Sequence, residues 1–103
     1  MAATSTTTTT VLRVGGVPEH FNLPFHQAIE TGAFAEAGLD VQWTDYTTGT
    51  GGMTKALSAG EQDVCIILTE GAVADILGNG SGNRIVGTHV SSPLTWGIHA
   101  RTC

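Results

Sequence analysis

Charge is scarce in this sequence, and basic charge most of all. Of 103 residues 13% are charged, with 4 Lys+Arg against 9 Asp+Glu and a formal net charge of −5. The basic residues, Arg13, Lys55, Arg84 and Arg101, are scattered. No basic surface is therefore expected to track a phosphate backbone, and neither nucleic acid nor an anionic membrane is an expected partner. Long apolar runs are missing as well. None outruns residues 64–68, far short of the ~20 residues of a spanning helix, so no membrane insertion is expected. Two cysteines without a secretory context do not make a disulfide framework. Cys65 sits in the apolar run, where a thiol behaves as a small hydrophobe, and Cys103 is the last residue.

The first ten residues are nearly all Ala, Ser and Thr, with neither the basic start nor the apolar centre of a secretory signal. They read as a disordered leader, with a short organellar transit segment as the alternative, and the cytoplasm is the expected compartment. The remaining residues suffice for one core, burying about 60–70% of the surface an unfolded chain exposes. A function that needs two lobes has to borrow the second.

Within residues 11–103 the hydrophobic period changes repeatedly. Residues 11–14 form a β-rich run closed by Gly15-Gly16. Phe25, Ala28 and Ile29 make a helical stripe with Pro24 near its first turn, and Gly32 ends it. A further helical turn over residues 34–37 is capped by Gly38. Residues 40–46 alternate as a half-buried strand, with Val41 and Trp43 on one face. A Gly/Thr loop follows, then the stripe Met53, Ala56 and Leu57, closed by Gly60. Residues 64–68 have the continuous apolar character of a central strand covered on both faces. Val73, Ile76 and Leu77 mark the next helix, residues 78–83 a turn, and residues 84–90 and 96–100 two final strands that a short link lets pair antiparallel. The expected fold class is α/β, a mainly parallel sheet with helices on both faces.

In such a sheet, ligands bind beyond the carboxyl ends of the strands. The loops there hold Pro18, Glu19, His20 and Phe21, then Thr48 through Met53, then Thr69, Glu70 and Gly71, then Ser91, Ser92, Pro93 and Leu94. Gly49, Thr50, Gly51 and Gly52 are the sharpest local feature. Glycine lets backbone N–H groups approach a ligand, and the following helix adds its positive end, which suits a carboxylate, sulfonate or phosphate. A plain connector is the other reading. The run lacks the Gly-Lys-Ser/Thr ending of a nucleotide loop, and Gly15-Gly16 is no dinucleotide fingerprint. His20, beside Glu19, either meets ligand or is simply solvated, and Phe21 either stacks on a flat ligand or staples its loop to the helix. His26 reads as solvated or capping, His89 and His99 as strand-face residues, and Trp43 and Trp96 as core. No His or Cys spacing closes a tetrahedral metal site, and no nucleophile elbow is present, so neither a metal nor a cofactor is expected.

Three phrases, Leu12-Arg13-Val14-Gly15-Gly16, residues 32–41 ending in Gly38-Leu39-Asp40-Val41, and residues 56–64 holding Leu57-Ser58-Ala59-Gly60-Glu61, resemble the start of type 2 periplasmic-binding-protein-like proteins. The resemblance is closest to the group of sulfonate and taurine binders and fungal thiamine-pyrimidine synthases, and it runs from Leu12 to about Ala100. It implies two α/β lobes closing over a small ligand, of which this chain holds a partial first lobe. The ligand side it implies is Glu19, His20, Phe21, Gly49, Thr50, Gly51, Gly52, Thr69, Glu70, Gly71, Ser91 and Ser92. Where the synthases place a functional Lys and His, this sequence has Ile67 and Glu70-Gly71, and their Cys-rich iron motif is absent. The expected function is binding of a small anionic or heteroaromatic metabolite without catalysis. The alternatives are a relative of the thiamine-pyrimidine enzymes and a degenerate scaffold that binds nothing. The expected partners are that ligand and either a second lobe or another copy of the chain.

Overall fold

The computed structural model describes residues 9–93 and 97–102. The leader up to residue 8, Leu94, Trp96 and Cys103 lie outside the described residues. The chain runs as β1 (Thr10–Gly16), a 3-10 turn (His20–Asn22), α1 (Leu23–Thr31), α2 (Ala33–Glu36), β2 (Leu39–Asp45), α3 (Gly49–Ser58), β3 (Val64–Cys65) and α4 (Thr69–Val73), which continues into a π-helical turn (Ala74–Gly78). The fold is α/β, built on an open three-stranded parallel sheet in the order β2-β1-β3.

That order places the helices. The path from β1 to β2 moves one way across the sheet and the path from β2 to β3 returns past β1, so right-handed crossovers put α1 and α3 on opposite faces. The contacts agree. Val14 lies opposite Trp43 in the β1–β2 register, and on that face Phe25 of α1 packs against the Trp43 ring with centroids 5.3 Å apart. Gly15 lies opposite Cys65 and faces the other way. There the Cys65 thiol sits 4.0 Å from the Met53 carbonyl of α3. Among the described residues, Val14, Val41, Met53, Ala56 and Ala72 are the buried apolar ones. Burial pushes the Cys65 thiol pKa up.

The helix ends follow local chemistry. Pro24 occupies the first turn of α1, where its missing N–H costs nothing, and Gly32 closes the helix at φ 79°, a left-handed conformation that side chains resist. α3 ends the same way, with Gly60 at φ 77°.

Five expectations need correction. Residues 84–90 form no strand, and neither do residues 97–100. No backbone hydrogen bond reaches either segment from the sheet among the described residues. The 64–68 run is consequently not central: β1 is, and β3 is a two-residue edge strand whose ladder ends when Ile66 N–H bonds the Gly15 carbonyl at 2.9 Å. Gly49 to Gly52 is the first turn of α3 rather than a loop before it. The π-helical turn adds a residue to its coil and rotates the expected stripe outward. Val73 and Leu77 are exposed, while Ala72 and Asp75 are buried. Finally, His26 is half-buried rather than simply solvated or capping, its ring packed edge-on against Trp43 at 5.0 Å.

One ion pair joins β1 to the start of β3. Arg13 donates to Asp63 through Nε at 3.1 Å and Nη2 at 2.9 Å, its backbone N–H adds a third bond, and Asp63 N–H returns one to the Arg13 carbonyl. Hydrogen bonds from Arg13 hold the Asp63 carboxyl at about 2, below the usual range. A depressed folded-state pKa stabilises above the ordinary carboxylate pKa and is lost as pH falls through the folded value. Urea midpoints are therefore expected to drop between roughly pH 4 and pH 2, and Asp63→Asn should flatten that limb. An unchanged acid limb in Asp63→Asn would show that other carboxylates set it.

Candidate functional site

The carboxyl ends of β1, β2 and β3 open onto one edge of the sheet, and three of the four expected loops start there. After β2, Thr48 leads into α3, whose first turn holds Gly49, Thr50, Gly51 and Gly52. After β3, α4 opens at Thr69 with Glu70 in its first turn. The two openings touch. A Cβ added to Gly71 would collide with the Thr50 methyl and lie 3.5 Å from Thr50 Oγ1. The site thus brings together Thr48, Gly49, Thr50, Gly51 and Gly52 with Thr69, Glu70 and Gly71.

The glycines there do different jobs. Gly52 has no room for a side chain, because a Cβ would run into the Thr48 hydroxyl, and Gly71 is pressed against Thr50. Both are packing glycines. Gly51 faces open space, and Gly49, at φ 72°, turns the chain into the helix. The first turn of α3 has no side-chain cap and no acidic residue. Its backbone N–H groups are thus left with the positive end of the helix dipole and no fixed partner. α4 differs, since Glu70 already supplies negative charge to its first turn.

After β1, Glu19 and His20 are exposed and Phe21 is half-buried. The His20 and Phe21 rings meet edge-on at 5.7 Å. No hydrogen bond joins these three to Thr50 or Gly71 among the described residues. Ser91 and Ser92 are exposed and make no hydrogen bond among the described residues. Their neighbour His89 lies 2.7 Å from the Phe21 carbonyl through Nε2 and packs edge-on against Phe25 at 5.0 Å, which carries residues 84–92 toward the β1 exit.

Asn22 is the residue that sequence reasoning passed over. It is fully buried beneath this edge, its Nδ2 donates to the Val17 carbonyl at 2.8 Å, and its Oδ1 has no partner. An Asn just before Leu23-Pro24 is a helix-start signature and could have been found. Asp75 was also unforeseen. Buried behind α3, it accepts from Ser81 Oγ at 2.6 Å and Asn83 Nδ2 at 2.9 Å, bonds that hold its pKa down and order the turn after the π-helical segment.

Among the described residues, no three His, Cys, Asp or Glu side chains converge as metal ligands do, and no helix is long and apolar enough to cross a membrane. In comparisons with known proteins, no family model matches the chain, and no curated protein or solved structure matches it either.

Proposed function

We propose that this chain binds a small metabolite bearing a carboxylate, sulfonate or phosphate at the carboxyl edge of its sheet, without catalysis. The observation that carries the reading is the opening of α3, which has open space at Gly51 and neither a cap nor an acid in its first turn. The Thr48 and Thr50 hydroxyls stand in this opening as neutral donors. Phe21 and His20, whose rings meet edge-on after β1, offer aromatic contact for the rest of the ligand. The resemblance to sulfonate and taurine binders favours the same ligand class.

The test separates binding from folding. Gly51→Asp puts a carboxylate where the anion would sit, and an acid in a first helical turn is tolerated or stabilising. The probes are inorganic phosphate, methanesulfonate and acetate, each with the full chain. A ligand at ~100 times its Kd stabilises by about 2.7 kcal/mol, which raises Tm by on the order of 10 °C in a domain of this size. That rise is expected for at least one probe and is expected to vanish in Gly51→Asp, with the ligand-free Tm kept. No rise with any probe, or an undiminished rise in the variant, rejects the site.

A further inference from the structure

The outer edge of β3 faces a groove of about 430 Å³. One wall is β3 with Ile66 and Ile67; the other is residues 84–89. No backbone hydrogen bond crosses between the walls among the described residues. Ile85 and Val86 on the far wall are 56% and 87% exposed. The unpaired outer edge of β3, opposite a second segment that belongs to neither helix nor strand, is matched by an extended polypeptide, which offers donors and acceptors to both sides.

Two features of this chain say which polypeptide. Residues 97–102 are exposed throughout and belong to no element, with Ile98 fully exposed. Ile98 and Ala100 alternate with His99 and Arg101, the period of a strand. Charge supplies the second argument. All nine acidic residues lie between Glu19 and Asp75; two of them, Asp63 and Asp75, line the groove against one cation there, Arg84, while residues 97–102 carry Arg101 and no acid. The cationic segment of one copy is complementary to the acidic lining of another. Within a single copy, residues 97–102 lie clear of the groove.

We infer that the groove beside β3 is a strand-docking site for residues 97–102 of a second copy of this chain, exchanged reciprocally to give a two-fold dimer. The exchange completes the ladder of β3 and buries Ile98 between Ile66 and the apolar far wall. It rests on the sheet edge and not on the anion site, so either stands without the other.

The experiment starts with sedimentation equilibrium of the full chain, where a dimer that dissociates on dilution and weakens with added salt is expected. Ile98→Asp leaves the monomer untouched, because that side chain is in solvent, and is expected to raise the dimer dissociation constant roughly tenfold or more. Pairing is then read by disulfide mapping in a Cys65→Ser, Cys103→Ser background. Ile66→Cys and Ile98→Cys proteins, oxidised as a mixture, are expected to give the mixed disulfide in preference to either homodimer. Four results would overturn the inference: a monomer at every concentration, a dimer unaffected by Ile98→Asp, no preference for the mixed disulfide, or an intrachain bond in a monomer carrying both cysteines. The last would place the segment in the groove of its own copy.

Discussion

Truncating Met53 to alanine is expected to lower the urea midpoint of unfolding by about 1–2 M. Met53 is 1% exposed and is the largest of the five buried apolar residues among those described. It stands in the second turn of α3, on the side turned toward the sheet, with its own carbonyl against the Cys65 thiol. Removing three heavy atoms from such a position costs the lost transfer energy plus the cavity, about 2–5 kcal/mol for a buried Met, Leu or Ile. Divided by a slope of roughly 1–3 kcal/mol/M, this gives a shift of the stated size. Small domains are stabilised by only about 5–15 kcal/mol in all, so one side chain decides whether the fold holds. Leu77→Ala is the control. Leu77 is 79% exposed despite its place in the apolar stripe, and its truncation should change stability by less than ~0.5 kcal/mol. Equal losses from the two substitutions would mean that the buried face of the helices has been misplaced.

The elements up to residue 60 were legible because their signals are local. Three glycines, Gly32, Gly38 and Gly60, take positive φ at the helix ends where the hydrophobic stripes stop. The alternation of Val41 and Trp43 is read directly in the sheet, since both share the face of Val14. What failed was non-local. Residues 84–90 have strand composition, but composition does not make a ladder. A strand needs a neighbour whose groups are free at the right spacing, and β3 stands across a groove instead. The same gap explains why an apolar run expected to be central became an edge.

The candidate site was legible as a set of loops and not as a shape. Position after a parallel strand was enough to name Thr50 and Gly71, and the fold brings them into contact. Their glycines were read for closeness to a ligand, yet Gly52 and Gly71 are small because Thr48 and Thr50 occupy the space. For Gly71 that reason lies in packing against Thr50, 21 residues earlier in the chain, which no local pattern reports; for Gly52 it is a contact one helical turn back. It also explains why α3 starts at Gly49, against the low helix propensity of three glycines in four residues. The local fit of Gly52 against Thr48 and the tertiary fit of Thr50 against Gly71 override a penalty of about 1 kcal/mol per glycine.

Gly16→Val is expected to be as damaging as the Met53 truncation, for the opposite reason. Gly16 ends β1 on the face shared by Val14 and Trp43, and a Cβ there would lie 2.6 Å from the Trp43 ring and 2.9 Å from Asn22 Nδ2. Neither neighbour can yield freely. Trp43 is held by Phe25 and His26 at centroid distances of 5.3 and 5.0 Å and by its Nε1 bond to Asp45 at 2.8 Å. Asn22 is fully buried and tied to the Val17 carbonyl. Overfilling a packed site costs about 1–3 kcal/mol. Breaking the Asn22 bond while that side chain stays buried adds about 1–3 more. The clash predicts its own rescue. Trp43→Leu removes the atoms that the new side chain meets, so in the Gly16→Val background it should be less harmful than alone, by at least ~1 kcal/mol of coupling in a double-mutant cycle. Additive losses would place the damage at Asn22, and the cycle with Asn22→Ala would then carry the coupling. If neither cycle shows coupling, the cost of Gly16→Val comes from the strand backbone, and the close approach of Trp43 to β1 is not what fixes α1 on the sheet.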